Sequence, residues 1–193
     1  MPGTKLAEGT YAIRPGNLSR PIIAWCVFPD NNPWDKNAVE QTSRNESWVV
    51  IQRRVSGNIQ FFRDWQDYKF GFGNPAGDFW LGNAALHELT NQANYSLRFE
   101  IIDVDGNFFV ADYAGFHVGA ESDGFRLHVS GFSGNLSDSL GYHSGMRFST
   151  PDVDNDASST HCAHYYQGGW WYSHCQYVNV NGRFDTGRTW YDA

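Results

Sequence analysis

A short polar run in the C-terminal half of the chain carries side chains that could bind a cation. From Asp152 to Asp156 the sequence DVDND alternates carboxylates with an apolar residue or an amide. Calcium takes about six to eight oxygen ligands from loops of this composition, using carboxylates and main-chain carbonyls. The run lacks the glycine and the final glutamate of helix–loop–helix calcium sites. The residues alone therefore leave two interpretations open, a calcium loop of another kind or a solvated turn.

An aromatic segment follows the polar run, between Cys162 and Cys175, which are close enough in sequence to close a small loop. It contains the sequence HYYQGGWWY, from His164 to Tyr172, in which glycines allow close backbone approach and rings form walls. An aromatic loop beside an acidic loop is typical of a recognition site. The chain has no G-x-S-x-G or H-E-x-x-H motif, and no carboxylate pair stands out by its spacing. We therefore predict a binding protein and not an enzyme.

The same segment invites a zinc alternative, because several nitrogen and sulfur ligands lie close together in it. They are His161, Cys162, His164, His174 and Cys175. Zinc sites use closely spaced pairs of cysteines or histidines, and here the cysteines are too far apart, so a disulfide explains them better. The remaining cysteine, Cys26, is predicted to be a buried free thiol or to pair with another chain.

The composition restricts the class of protein further. The chain has 193 residues, 17% of them aromatic and 18% charged, with a net charge of −7. This length suits one domain over residues 1–193, and an acidic chain without a basic stripe argues against a nucleic-acid partner. No apolar run is long enough to span a membrane, and Met1–Thr4 does not begin a secretory signal. Because disulfides persist in oxidising surroundings, we predict an extracellular protein.

The elements that must position these residues are predicted to be mainly strands. Residues 1–20 show no clear preference, Pro29–Glu46 is predicted to be a loop, and Asn83–Thr90 a short helix. Apolar or alternating stretches that favour strands are Ile22–Phe28, Trp48–Arg54, Tyr95–Val104, Phe108–Tyr113, Phe116–Val118 and Phe125–Val129. From about residue 130 to 193, Gly, Ser, Asn and Asp indicate loops. We predict a single α+β domain with a twisted, mainly antiparallel sheet and few short helices.

Several motifs, in the same order, resemble the C-terminal domain of fibrinogen, which also occurs in ficolins, tenascins, angiopoietins and tachylectins. Besides the aromatic loop, they are WVVIQRR at Trp48–Arg54, WQDYKFGFGN at Trp65–Asn74, GDFWLGN at Gly77–Asn83, FSTPDVDND at Phe148–Asp156 and NVNGR at Asn179–Arg183. Asp78 lies where the family usually has Glu. The resemblance extends from about Gly9 to Trp190, and it implies the family's fold, with the binding surface in the loop-rich half.

The resemblance implies a calcium site in the acidic run. By position, the family's side-chain ligands fall on Asp154 and Asp156, and its main-chain carbonyl ligands fall on Ser158 and Thr160. Asp152 is then a nearby carboxylate or binds the ion through water. The expected cofactor is Ca²⁺.

The resemblance also implies an aromatic pocket near the second cysteine, where ficolins and tachylectins hold an acetyl group. Tyr166 is the expected wall of this pocket. The other expected ligand-binding residues are Tyr165, Trp171, His174 and Gln176. Gln176 departs from the family, because acetyl-binding members carry His there. Trp170 and Trp171 fit a core position equally well.

Two backbone features follow from the resemblance as well. Cys162 and Cys175 are expected to form a disulfide, and the peptide bond between His174 and Cys175 is expected to be cis. Phe184 or Tyr191 could supply a further aromatic side of the pocket.

The combined expectation is a calcium-supported, lectin-like extracellular domain that binds glycans or acetylated groups. A homo-oligomer is compatible with this function, because clustering strengthens weak individual sites. The alternative is a protein–protein interaction module of the fibrinogen or angiopoietin type, which binds a protein partner and no sugar.

Overall fold

The computed structural model describes residues 6–28, 46–185 and 188–191. These residues form an α+β fold with short helices and four small sheets, in which every strand pairing is antiparallel. The predicted class is therefore confirmed, with the strands distributed over several sheets. The predicted loop Pro29–Glu46 lies outside the described residues except for Glu46. None of the described helices is long and apolar enough to cross a membrane.

The first sheet contains β1 (Gly9–Ile13), β2 (Ile22–Val27) and β3 (Trp48–Val50). Residues 1–20 showed no preference in the sequence, yet β1 pairs with the apolar β2 along its whole length. A strand of this kind depends on its partner more than on its own propensity. Cys26 lies in β2 as a buried free thiol.

The second sheet has the order β4 (Gln52–Arg53), β6 (Phe79–Trp80), β5 (Phe72–Gly73). The strand that we predicted over Trp48–Arg54 is divided, because β3 pairs with β2 whereas β4 pairs with β6. Ile51 lies at the division, and its carbonyl accepts the main-chain N–H of Leu81 at 2.8 Å.

Two helices flank β5 and β6 in the sequence, α1 (Trp65–Phe70) and α2 (Asn83–Gln92). No helix was predicted over α1 from the sequence. This helix begins where the Asp64 side chain accepts the N–H of Asp67, and it ends at Gly71, which has a φ of 86°. The predicted helix over Asn83–Thr90 is confirmed by α2.

The third sheet contains β7 (Tyr95–Ile102), β8 (Phe108–Val118) and β9 (Leu127–Gly134), with β8 in the centre. The prediction of two separate strands within β8 was wrong, since one strand runs through Gly115. A side chain there would place its Cβ 2.5 Å from Ser130 Oγ, so glycine permits the close approach of β8 and β9.

The rest of the chain is rich in loops, as predicted. Its short elements are 3₁₀ helices at Glu121–Asp123 and Leu140–His143, α3 (Cys162–Tyr165), β10 (Val178–Asn179) and β11 (Thr189–Trp190). An aromatic core joins this region to α1. The rings of Tyr68 and Phe148 lie 5.2 Å apart, and the Tyr68 hydroxyl accepts the N–H of Gly169 at 3.0 Å.

Candidate ligand and cation site

Asp156 connects the acidic run to the disulfide. One carboxylate oxygen of Asp156 accepts the main-chain N–H of Ser158 at 2.8 Å, and the other accepts that of Cys162 at 2.9 Å. Cys162 is the first residue of α3 and forms the predicted disulfide with Cys175, with 5.2 Å between the Cα atoms. A change at this carboxylate therefore acts directly on one end of the aromatic loop.

The carboxylates of Asp154 and Asp156 lie close enough to repel each other. Burial raises the pKa of Asp156, the N–H groups of Cys162 and Ser158 lower it, and the Asp154 carboxylate raises it again, with a net upward shift. Two carboxylates that repel each other are a donor set that a divalent cation stabilises. In the described residues, no group of three or more His, Cys, Asp or Glu side chains gathers as a metal site. If a cation binds here, its further ligands would be water or main-chain carbonyls, for which Ser158 and Thr160 are the predicted residues.

Asp152 has a different role from its neighbours. Its Oδ1 accepts the main-chain N–H of Trp65 at 2.9 Å and the hydroxyl of Thr150 at 2.8 Å. The N–H of Trp65 belongs to the first turn of α1, where a carboxylate is favourable. Asp152 therefore links the acidic run to α1.

Tyr166 follows α3 and lies within a group of tyrosines. Its ring is 4.9 Å from that of Tyr165 in an edge arrangement and 6.3 Å from that of Tyr172 in a stacked one. Burial, and then the nearby Tyr165 and Tyr191, raise the pKa of Tyr166. Tyr165 is 70% exposed. The structure thus brings both predicted tyrosines to the surface beside the disulfide.

Trp171 does not lie in the pocket. It is 3% exposed, and its indole N–H donates to the carbonyl of Phe125 at 2.6 Å. Its ring packs 5.1 Å from both Phe148 and Trp170. The assignment of Trp171 to ligand binding is therefore corrected: Trp170 and Trp171 belong to the core, which was the other interpretation of these residues.

His174 is exposed, whereas Gln176 is only 8% exposed. The Oε1 atom of Gln176 is buried without a hydrogen-bond partner. The expected cis bond between His174 and Cys175 is not found, since the described residues contain no cis peptide. Instead, the chain turns with Cys175 at a φ of 61°, and the N–H of Ser173 donates to the carbonyl of Cys175. A left-handed cysteine is uncommon, and such backbones cluster at functional sites.

Further tyrosines, at positions 142 and 177, were not predicted from the sequence. The rings of Tyr142 and Tyr177 stack 4.3 Å apart, and Tyr177 is 44% exposed. The N–H of Tyr191 donates to the carbonyl of Tyr177, which brings Tyr191 to this side of the domain. Phe184 instead packs against the guanidinium of Arg188, 3.9 Å from its ring centre. No sequence signal marks Tyr142, since its partner is distant in the chain.

A buried histidine supports the tyrosine group from below. The Nδ1 of His143 lies 2.8 Å from the Trp171 carbonyl, and its Nε2 accepts the N–H groups of Tyr177 and Val178. Burial lowers the pKa of His143 to about 4, against a smaller opposite effect of the Trp171 carbonyl. His143 is therefore neutral at physiological pH, and it fixes the segment after Gln176.

The other side of the aromatic loop is held by β4 and by the segment that follows it. Arg54 donates to the carbonyls of Val180 and Gly182 at 3.3 and 3.0 Å, and its guanidinium lies 3.9 Å from the ring centre of Phe61. Gly168 is required there, because a Cβ would lie 2.4 Å from the carbonyl oxygen of Asn181.

The zinc alternative does not fit this arrangement. Cys162 and Cys175 are joined in a disulfide, so neither can provide a thiolate. The Nε2 of His161 is 2.9 Å from the carbonyl oxygen of Thr150, which occupies that nitrogen.

The fold and the site define a recognition module. The chain belongs to the fibrinogen-related family: residues 9–192 match the family described as fibrinogen beta and gamma chains, C-terminal globular domain. Domains of this family are binding modules and not enzymes. This membership confirms the resemblance found in the sequence.

Similar proteins differ widely in length. The chain is 41% identical to the protein scabrous of Drosophila melanogaster over 96% of its own length and 21% of the relative's. It is 47% identical to human ficolin-3 over 71% of its length and 46% of ficolin-3. A lamprey fibrin D-dimer, complexed with the peptide Gly-His-Arg-Pro-amide, superposes with a TM-score of 0.82 at 32% identity, covering 96% of this chain and 59% of the other. The chain thus spans less than half the length of these curated relatives.

Proposed function

We propose that this domain is a calcium-supported, extracellular recognition module that binds glycans or acetylated groups beside the Cys162–Cys175 disulfide. The observation that carries the proposal is the double role of Asp156. Its carboxylate interacts with that of Asp154 and also accepts the N–H of Cys162 at 2.9 Å. A cation bound by the two aspartates would therefore hold the first cysteine of the aromatic loop in place.

Calcium suits this donor set better than a softer metal does. Asp154 and Asp156 would supply carboxylate oxygens, Ser158 and Thr160 main-chain carbonyls, and water the remaining positions. In this proposal the ion does not touch the ligand and acts through the N–H of Cys162 that Asp156 accepts. Its role is to neutralise the carboxylates and so to stabilise the loop.

The tyrosines supply the ligand-binding surface in this proposal. The half-buried Tyr166 and the exposed Tyr165 offer ring faces to the apolar side of a sugar or to an acetyl methyl group. Gln176 lies beneath this surface, because its Oε1 atom is buried, and it does not contact the ligand in this proposal. A single shallow site of this kind binds weakly, with a Kd of about 1 mM, and clustering of domains raises the avidity.

A protein–protein interaction module is the second candidate function. Gln176 cannot reproduce the shape or charge of the histidine expected from acetyl-binding members. In addition, the lamprey fibrin structure of the same fold is a complex with a peptide. Under this alternative, the same tyrosines would contact a protein partner.

A glycan array probed with and without a chelator tests the first candidate. We expect binding that requires calcium and is lost in Asp154→Asn. Asp105→Asn is the matched control, because Asp105 is an exposed aspartate in the turn between β7 and β8. The absence of a calcium-dependent signal for every glycan contradicts the lectin proposal. If a protein partner binds and an excess of N-acetylglucosamine does not compete, the second candidate is supported.

A further inference from the structure

We propose that His117 and His128 form a two-histidine site for a borderline divalent cation such as Zn²⁺ on the outer face of the third sheet. The two residues are directly opposite each other in the antiparallel pair of β8 and β9. Opposite residues project from the same face of a sheet, so the imidazoles are neighbours. Their ring centres lie 5.6 Å apart, with an angle of 47° between the ring planes.

This separation fits two imidazoles that bind one metal ion. A zinc–nitrogen distance of about 2.0–2.1 Å places each ring centre about 3.2 Å from the ion, and a tetrahedral angle then separates the ring centres by about 5.2 Å. The observed 5.6 Å requires only a slight opening of that angle. Water molecules complete the coordination, because no third His, Cys, Asp or Glu in the described part of the chain joins the pair.

Asn91 of α2 prepares His117 for this role. The Nε2 of His117 lies 3.1 Å from the Oδ1 of Asn91. This oxygen can only accept, so Nε2 carries the proton and Nδ1 presents a lone pair. A hydrogen bond from the second ring nitrogen to an oxygen is the usual outer-shell support of a metal-binding histidine. Asn91 is itself held by a bond from its amide group to the His87 carbonyl at 2.7 Å.

The surroundings leave the pair accessible. His128 is exposed and His117 half-buried, and the neighbouring opposed positions are the small residues Gly115 and Ser130. Arg126, the residue before β9, is paired with both carboxylate oxygens of Asp123 at 2.8 and 2.9 Å. Arg147 also lies 3.7 Å from this carboxylate, so two arginines share the charge of Asp123.

Calorimetric titration with ZnCl₂ in an excess of CaCl₂ tests this site, because the excess calcium competes with zinc for any cation site in the acidic run. We expect binding in the wild type, its loss in His117→Gln and in His128→Gln, and about tenfold weaker binding in Asn91→Ala. His164→Gln is the matched control, because His161 and His164 form another pair, with ring centres 6.1 Å apart. In the wild type, zinc should shift the NMR ring signals of His117 and His128, and this measurement does not depend on how the variants fold.

The proposal is overturned by no zinc binding in the wild type, by unchanged binding in both His117→Gln and His128→Gln, or by ring-signal shifts at other histidines only. Loss of binding in His164→Gln alone assigns the ion to the other pair and equally contradicts it. The experiment is independent of glycan binding, so it can fail while the proposed function holds.

Discussion

The Nδ1 atom of the buried His143 lies 2.8 Å from the main-chain oxygen of Trp171, and this contact fixes the protonation of the ring. The carbonyl can only accept, so Nδ1 carries the proton and Nε2 is left to accept the N–H groups of Tyr177 and Val178. A second proton on Nε2 would point at these two N–H groups, which cannot accept it. The neutral ring thus stabilises the backbone between the core tryptophan and the exposed tyrosine surface.

We predict that this histidine makes the domain less stable in mild acid. The folded-state pKa of about 4 is below the ordinary value of 6.5, so the unfolded chain binds the proton more readily. The stabilisation is complete above pH 6.5 and is lost as the pH falls towards 4, by about 3 kcal/mol. Urea unfolding at several pH values should show this decrease. The slope of the free energy of unfolding against pH should be smaller in His143→Gln. His174→Gln changes an exposed ring and should keep the wild-type slope; equal slopes in the wild type and His143→Gln contradict the prediction.

Calcium should stabilise the folded domain through Asp154 and Asp156. At a calcium concentration about 100 times Kd, binding adds about 2.7 kcal/mol, which corresponds to about 5–10 °C in Tm. Asp154→Asn should lose this gain and also bind ligand more weakly, whereas Asp105→Asn should keep both. Thermal unfolding with calcium and with a chelator measures the effect. If neither calcium nor the chelator changes the Tm of the wild type, the acidic run is a plain turn.

Replacing Tyr166 with alanine should separate binding from stability. Tyr166 is half-buried and forms part of the tyrosine surface. Its removal should therefore cost about 1–2 kcal/mol of binding free energy and little free energy of unfolding. The comparison is Trp171→Ala, which removes a core ring and should destabilise the domain by about 3–5 kcal/mol. Ligand titration and urea unfolding of both variants provide the measurements. Equal effects of Tyr166→Ala on the two quantities would assign this ring to the core.

We predict that Asp78 stabilises the segment between β4 and α1. Burial would raise its pKa, but bonds from the Ser56 and Val55 N–H groups, the Ser56 hydroxyl and the Ile59 N–H lower it to about 2. Asp78→Asn replaces one accepting oxygen by a donor and should reduce stability by about 2–4 kcal/mol at pH 7. In the wild type this contribution is lost only as the pH falls from 3.8 towards 2, below the range of His143. Urea unfolding of Asp78→Asn checks the prediction. Asp105→Asn is the control and should leave the free energy of unfolding unchanged.

The sequence by itself determined the family, the α+β class, the disulfide and the chemical types at the site. These follow from local patterns, such as the order of the motifs and the spacing of the cysteines. Strands were predicted where apolar residues alternate strictly, as in β7, and α2 was predicted from its helix-forming residues. β1 and α1 were missed, because β1 depends on pairing with β2 and α1 on capping and packing.

Only the tertiary structure decided which of the aromatic and acidic side chains face the solvent. Trp171 and Tyr165 lie in one short aromatic run, yet one is 3% and the other 70% exposed. Asp152 lies in the same run as Asp154 and Asp156, but it bonds to Trp65, 87 residues away in the chain. Burial and such distant contacts arise from the packing of the whole domain, and a local pattern of residue types carries no information about them.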